Sequence, residues 1–357
     1  MEVYRRALAL LDENKPFALG VVISTRGSTP QKAGAKAVFE PHGPVWGTLG
    51  GGCLEAESRQ RALRALDTGQ GAVFELNLDD DYGWDDGLIC GGKAQVLVLP
   101  DVSPFRSAYE AAAAALESRK RGFLLTVLRE GSPFHAETRW IAIADMAESA
   151  AFIGAEDTAF SLATEEPVYR EANGAEPSGM TGWFIEPITP PPRLLIAGAG
   201  HIGKAVAHQA ARLGFEITIV DDRAIFANPD HVPEAHSVIC GDIAETVAEF
   251  PTDPDTYILI VTRGHRHDHQ VLAKCIHAPA AYIGMIGSRR KAVLVKKGFI
   301  EDGLASAPEI ARVHSPVGLD IGARTVEEIA TSISAELVAA RRGALDRARN
   351  LSVQAAP

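Results

Sequence analysis

Leu194-Leu195-Ile196-Ala197-Gly198-Ala199-Gly200-His201-Ile202-Gly203 lies in the second half of this 357-residue chain, and its reading decides the fold of everything after it. An apolar strand runs directly into G-x-G-x-x-G. A helical pattern follows, then a second apolar strand over 216–220 that ends in Asp221. In such a turn Gly198 permits the sharp bend, Gly200 lets backbone approach a pyrophosphate, and Gly203 lets the helix pack on the strand. Asp221 stands about 20 residues beyond the loop, where a carboxylate can accept from a ribose hydroxyl, and Arg223 keeps a phosphorylated ribose open. Strands over 194–197, 216–221, 237–240, 256–262 and 281–286 alternate with helical stretches. Short crossovers of this kind predict a Rossmann-like, doubly wound parallel sheet.

Upstream the pattern differs. A helix over 3–13 precedes strands over 17–25, 35–40 and 45–49, a helix opening at Gly50-Gly51-Gly52, strands at 73–78 and 94–99, an alanine-rich helix over 106–120, and strands at 123–128, 138–142 and 183–186. This reads as an α+β domain with an antiparallel or mixed sheet, so the chain as a whole is α/β. Pro190-Pro191-Pro192 is a stiff spacer, giving expected domains at 1–189 and 193–345 with a tail over 346–357. Thr325-Val326-Glu327-Glu328 has the spelling of a capping box and opens the last long helix.

Bulk properties narrow the function. The net charge of −11 comes from 35 basic and 46 acidic residues and argues against a nucleic-acid partner. No apolar run approaches the ~18 residues of a membrane span. The N-terminus lacks the apolar core of a signal peptide, and four cysteines without C-x-x-C spacing argue against a disulfide framework or structural zinc, so a cytoplasmic setting is expected. The acidic run at 79–86 reads as a solvated loop.

Chemistry is expected where an open α/β sheet gathers its ligands, at the carboxyl ends of the strands. These positions hold His201 in the glycine loop; Asp221, Asp222 and Arg223; the run Thr262-Arg263-Gly264-His265-Arg266-His267-Asp268-His269; and Gly287-Ser288-Arg289-Arg290-Lys291. Ser288, Arg289 and Arg290 at a helix start form an expected anion cradle. The histidine cluster has three readings: substrate contact or acid–base work by His265 and His267, a metal site, or a helix cap made by Asp268. In the first half, Cys53 follows Gly50, Gly51 and Gly52 in the first turn of a helix, where the dipole favours thiolate. Cys90 precedes Gly91 and Gly92. Cys240 and Cys275 read as core.

Gly27-Ser28-Thr29-Pro30, Gly47-Thr48-Leu49-Gly50-Gly51-Gly52-Cys53-Leu54-Glu55 and Cys90-Gly91-Gly92 resemble the first domain of the XdhC/CoxI family. Gly198-Ala199-Gly200-His201-Ile202-Gly203, Val220-Asp221-Asp222-Arg223, the run 282–290 and Pro316-Val317-Gly318-Leu319-Asp320-Ile321-Gly322-Ala323 resemble its Rossmann domain. The resemblance implies an accessory protein more than a turnover enzyme. Such a protein binds the molybdenum cofactor, as molybdopterin or its dinucleotide, and promotes its sulfuration and its insertion into a molybdenum hydroxylase such as xanthine dehydrogenase. The implied partners are the hydroxylase apoenzyme and a cysteine desulfurase, with Cys90 an expected molybdenum ligand; a homodimer is the default assembly. Two other functions fit the residues: an NAD(P)-dependent oxidoreductase using His265 or His267 with Arg289, and a nucleotide-sensing regulator.

Overall fold

A computed structural model describes residues 1–78, 92–129, 131, 134–145, 157, 159, 161, 165–172 and 180–354, with backbone only for 350–354. The chain separates into two compact units, Met1–Pro190 and Pro191–Pro357.

In the N-terminal unit the elements are α1 (Glu2–Asp12), β1 (Ala18–Arg26), β2 (Lys36–Phe39), β3 (Val45–Gly47), α2 (Gly52–Thr68), β4 (Ala72–Asn77), β5 (Lys93–Leu99), α3 (Arg106–Glu117), β6 (Gly122–Arg129), β7 (His135–Ala142), β8 (Val168–Glu171) and β9 (Met180–Ile188). They build two sheets, ordered β3-β2-β1-β5-β4 and β7-β6-β9-β8. Every pairing in both is antiparallel, which resolves the expected antiparallel or mixed sheet. The two-residue period of β1 explains the layering. Leu19, Val21 and Ile23 share a core with α1, α3 and the second sheet, while Ala18 and Val22 on the opposite face pack with Leu54, Ala62 and Ala65 of α2. Polar groups also join the sheets. Glu186 of β9 accepts from Lys36 Nζ of β2 at 2.5 Å and from the Tyr4 hydroxyl of α1 at 2.5 Å. Strand β8 falls in a stretch where the sequence pattern predicts no element. Four residues half turned to solvent leave little periodicity to read.

The C-terminal unit runs β10 (Arg193–Ala197), α4 (His201–Arg212), β11 (Glu216–Asp221), β12 (Ser237–Cys240), α5 (Ile243–Glu249), β13 (Thr256–Ile260), α6 (His265–Cys275), β14 (Tyr282–Met285), α7 (Arg289–Glu301), α8 (Ala307–Ala311), β15 (Val313–His314), α9 (Val326–Arg341) and α10 (Leu345–Gln354). The last of these lies where a tail is expected. The sheet is parallel throughout in the order β12-β11-β10-β13-β14-β15. The chain therefore starts in the middle, winds outward one way and then the other, and the direction reverses between β10 and β13. That doubly wound order opens a crevice at the carboxyl ends of those two strands. Strands β10 and β13 are buried along nearly their whole length, as both faces are covered by helices. The capping box at Thr325 and Glu328 forms as predicted. On α9, the fully buried Glu336 accepts from the Tyr282 hydroxyl at 2.6 Å and from Arg349 Nη2 at 2.8 Å. His314 stacks on the Tyr282 ring at 4.8 Å. Burial, followed by the charges of Arg349 and Lys296, pushes the His314 pKa down to about 4. Among the described residues no helix is long and apolar enough to cross a membrane.

Candidate functional site

In the N-terminal unit, local chemistry shapes the loop ahead of α2. Gly50, Gly51 and Gly52 all carry positive φ, at +114°, +72° and +56°, a run that side-chain-bearing residues rarely adopt. The loop closes on a carboxylate of its own helix. Glu55 Oε2 accepts from the Thr48 hydroxyl at 2.8 Å, from Leu49 N–H at 3.1 Å and from Gly51 N–H at 3.4 Å. Cys53 is exposed in the first turn of α2, beside this loop. A Cβ on Gly50 would come within 2.6 Å of Pro30, and one on Gly92 within 2.2 Å of the Ser28 carbonyl oxygen. The fold thus gathers residues 27–30, residues 47–55 and Gly92 at one end of the first sheet. Glu55 is a member of the quoted motif whose role the sequence reading missed. An acid in the first turn of a helix, just after a glycine run whose N–H groups need acceptors, is the signal that could have found it. Cys90, Gly91 and the acidic run at 79–86 lie outside the described residues.

In the C-terminal unit, each loop glycine has a distinct physical reason. Gly198 has φ +117°, and a Cβ there would lie 2.5 Å from the Val261 carbonyl oxygen. A Cβ on Gly203 would lie 1.9 Å from the Gly198 carbonyl oxygen, so helix packs on strand only without a side chain. Around Gly200 nothing lies within 4 Å of that position. His201 begins α4 and is exposed.

Asp221 is buried at the end of β11 and accepts four hydrogen bonds. Oδ2 receives Ala199 N–H and Arg223 Nη2, both at 2.9 Å, while Oδ1 receives Arg223 Nε at 2.8 Å and Arg223 N–H at 3.1 Å. Burial alone would raise its pKa. The Arg223 guanidinium and the two N–H groups outweigh burial and hold the carboxyl below its ordinary value. A carboxylate has about four lone-pair sites, so a ribose hydroxyl could be accepted here only if Arg223 gave one up. Arg223 in turn lies over the Phe226 ring at 4.0 Å. Asp222 receives Arg263 at 2.7 Å, joining the loop after β11 to the loop after β13.

The histidine run is a helix, capped by Gly264 rather than by Asp268. Asp268, Val271, Leu272 and Cys275 share the buried face of α6, at spacings of three and four. Asp268 is 1% exposed. It accepts from Thr262 N–H at 3.1 Å, from the Thr262 hydroxyl at 2.6 Å and from Lys291 Nζ at 2.6 Å. Lys291 therefore turns inward from the first turn of α7 to α6 and, through Asp268, to the loop after β13; the apolar spacing after Asp268 was the signal for this. His265 is exposed, His267 half-buried, and His269 packs on Phe299 with ring centroids 4.7 Å apart. Among the described residues no group of three or more His, Cys, Asp and Glu side chains could hold a metal ion. Ser288 caps α7, and Arg289 pairs with Asp320. Of the predicted anion cradle, then, Arg290 alone of the three bases has no carboxylate partner among the described residues. Cys275 is core, its thiol pushed up to about 12 by burial. Cys240 is not core: it ends the outermost strand and is exposed.

Comparison with known proteins agrees with this arrangement. The XdhC Rossmann domain matches residues 194–337, and the XdhC and CoxI family matches residues 10–77. Protein YqeB of Escherichia coli (strain K12) is 27% identical over 345 residues, 96% of this chain and 47% of that protein, so the chain spans about half its length. A protein of Bacillus subtilis (strain 168) named as a probable xanthine dehydrogenase component is 27% identical over 96% of its own length and 94% of this chain. The molybdenum cofactor insertion chaperone PaoD of Escherichia coli (strain K12) is 24% identical over 95% of this chain and 88% of its own. A crystal structure described as a xanthine dehydrogenase from Bacillus halodurans shares the fold, with a TM-score of 0.76 at 24% identity over 96% of both chains. One family's two segments fall in order on the two units, each on the glycine loops just described, and the chain belongs to the XdhC/CoxI family.

Proposed function

We propose that this chain is a maturation factor for a molybdenum hydroxylase, one that holds the molybdenum cofactor, supports its sulfuration and delivers it to the apoenzyme. The observation that supports this most is the exposed Cys53 thiol at the start of α2, behind three left-handed glycines. Thiol sulfur is a soft donor that suits molybdenum or sulfur carriage. Cys90 would share this work. In the C-terminal unit, the open space at Gly200 and the N-terminus of α4 suit the phosphates of a nucleotide. Arg223, Arg289 and Arg290 would supply charge there, and His201, His265 and His267 polar contact. When bound, the cofactor supplies the molybdenum whose terminal oxo ligand is exchanged for sulfido. A cysteine desulfurase would provide the sulfur, and the setting would be cytoplasmic, with the chain as a homodimer.

The test is calorimetry of the purified chain, kept anaerobic, with molybdenum cofactor and separately with NAD. Tight cofactor binding with weak NAD binding is expected. Tight NAD binding alone would overturn the reading in favour of an oxidoreductase or a nucleotide sensor. In a strain lacking the gene, Cys90→Ser and Cys53→Ser should each fail to restore hydroxylase activity while leaving the fold intact.

A further inference from the structure

The inner face of the first sheet changes character along its length. At one end Leu19, Val21, Ile23, Leu97 and Leu99 pack into the core. Beyond Ile23 the pairing slips: Val22 pairs with Val96, but Ser24 pairs with Gln95. The extra residue is a bulge, which bends a strand and re-aims the side chains that follow it. From there the face is polar, in two cross-strand rows. Ser24, Gln95 and Glu75 form one row, and Arg26 and Lys93 the next. Tyr169, Arg170 and Glu171 of β8 line the other side of an open cleft of about 660 Å³. A volume of that size suits a small molecule. Arg26 directly precedes residues 27–30 and Lys93 directly follows Gly92, so the cleft adjoins the gathered family motifs.

The cleft's charges are unevenly committed. Lys93 pairs with Glu75 at 3.4 Å, and Arg170 with Asp157 at 2.7 Å. Gln95 Nε2 donates to Glu171 Oε1 at 3.2 Å. Among the described residues, no donor reaches Glu171 Oε2 and no carboxylate pairs with Arg26. The lining thus offers a steadied carboxylate oxygen, one ring in Tyr169, and one uncommitted guanidinium. A carboxylate accepts well from an adjacent ring N–H and amino group, and a guanidinium binds phosphate.

We propose that this cleft binds the 2-amino-4-oxo edge of a pterin or guanine through Glu171, with Arg26 on the attached phosphate. This rests on the cofactor reading above, since the organic part of the molybdenum cofactor is a pterin carrying phosphate. Adenine presents no such donor pair and is excluded by the same chemistry.

The experiment is a fluorescence titration with neopterin monophosphate, with GMP and AMP as competitors. Saturable quenching is expected, with AMP failing to compete. Competition by GMP assigns the shared edge; failure of GMP narrows the site to pterins. Glu171→Gln should weaken binding about tenfold or more, at an unchanged melting temperature, because a charged acceptor is lost from an exposed position. Arg26→Ala should weaken neopterin monophosphate but not free neopterin. No saturable binding, equal competition by AMP, or unchanged affinity in Glu171→Gln each overturns the assignment. If neopterin is ignored while the chain still supports hydroxylase activation, the cleft assignment falls and the cofactor reading stands. If neopterin binds through Glu171 and the chain supports no hydroxylase, the reverse holds.

Discussion

In the N-terminal unit the glycine loop at residues 48–52 is held by Glu55, from the first turn of the helix it opens. In the C-terminal unit the loop at residues 198–203 is held by Asp221, which reaches Ala199 N–H from the next strand, 22 residues away. Its neighbourhood is tied again by Asp268 and Lys291, 23 residues apart. Both loops keep a carboxylate on their own N–H groups, but one carries its holder in the motif while the other borrows holders from the sheet. A local holder steadies a loop that can still rearrange. A distant, buried holder makes the loop part of the unit's core.

That contrast can be broken by substitution, because all four tryptophans precede Pro190. Tryptophan fluorescence therefore follows the N-terminal unit, while circular dichroism follows both. The largest effect is expected for Asp268→Ala, which strands the Lys291 ammonium in a site where its side chain is 10% exposed. A loss of about 3–5 kcal/mol should appear in the circular dichroism transition and not in the fluorescence. Gly203→Ala should cost about 3 kcal/mol, because its Cβ meets backbone. Gly200→Ala, in open space, should stay within about 1 kcal/mol of wild type. Equal losses at the two glycines would refute the distinction drawn between them.

Asp221→Asn should cost about 2 kcal/mol, since it removes the charge from a buried acceptor of four bonds. The folded carboxyl sits below the usual 3.8, so its contribution is present above that value and lost as acid titrates it in the native state. Glu55→Gln should cost only about 1 kcal/mol, read by fluorescence. A larger loss for Glu55 than for Asp221 would reverse the comparison.

The smallest effect concerns His314. Its folded pKa of about 4 lies below the usual 6.5, so between these values the unfolded chain binds more protons. The C-terminal unit should therefore lose stability as pH falls from 6.5 to 4, by about 1 kcal/mol after solvent screening of a half-buried ring. His314→Phe should flatten that slope in urea melts followed by circular dichroism; an unchanged slope would assign the acid sensitivity to other groups.

Much of this was legible beforehand, and the exceptions share a cause. The roles of Gly198 and Gly203 follow from residue type and spacing, because only glycine tolerates left-handed backbone or a carbonyl oxygen in place of a Cβ. Asp221 was legible as the acid at the end of the second strand, but not as the partner of Arg223. Two residues of separation do not reveal that the guanidinium folds back. Asp268 reads as a polar cap in a histidine-rich run until its apolar neighbours at Val271 and Leu272 are weighed.

The order of most elements, the doubly wound half and the glycine turns were determined by the sequence alone, since hydrophobic period and backbone sterics act over a few residues. Tertiary structure alone decided that both N-terminal sheets are antiparallel, that Lys291 turns inward to Asp268, and that Ser24, Gln95 and Glu75 line one cleft with Glu171. Each of those joins residues from separate strands or helices. Electrostatic pairing and burial depend on distance in space, which local spacing does not encode.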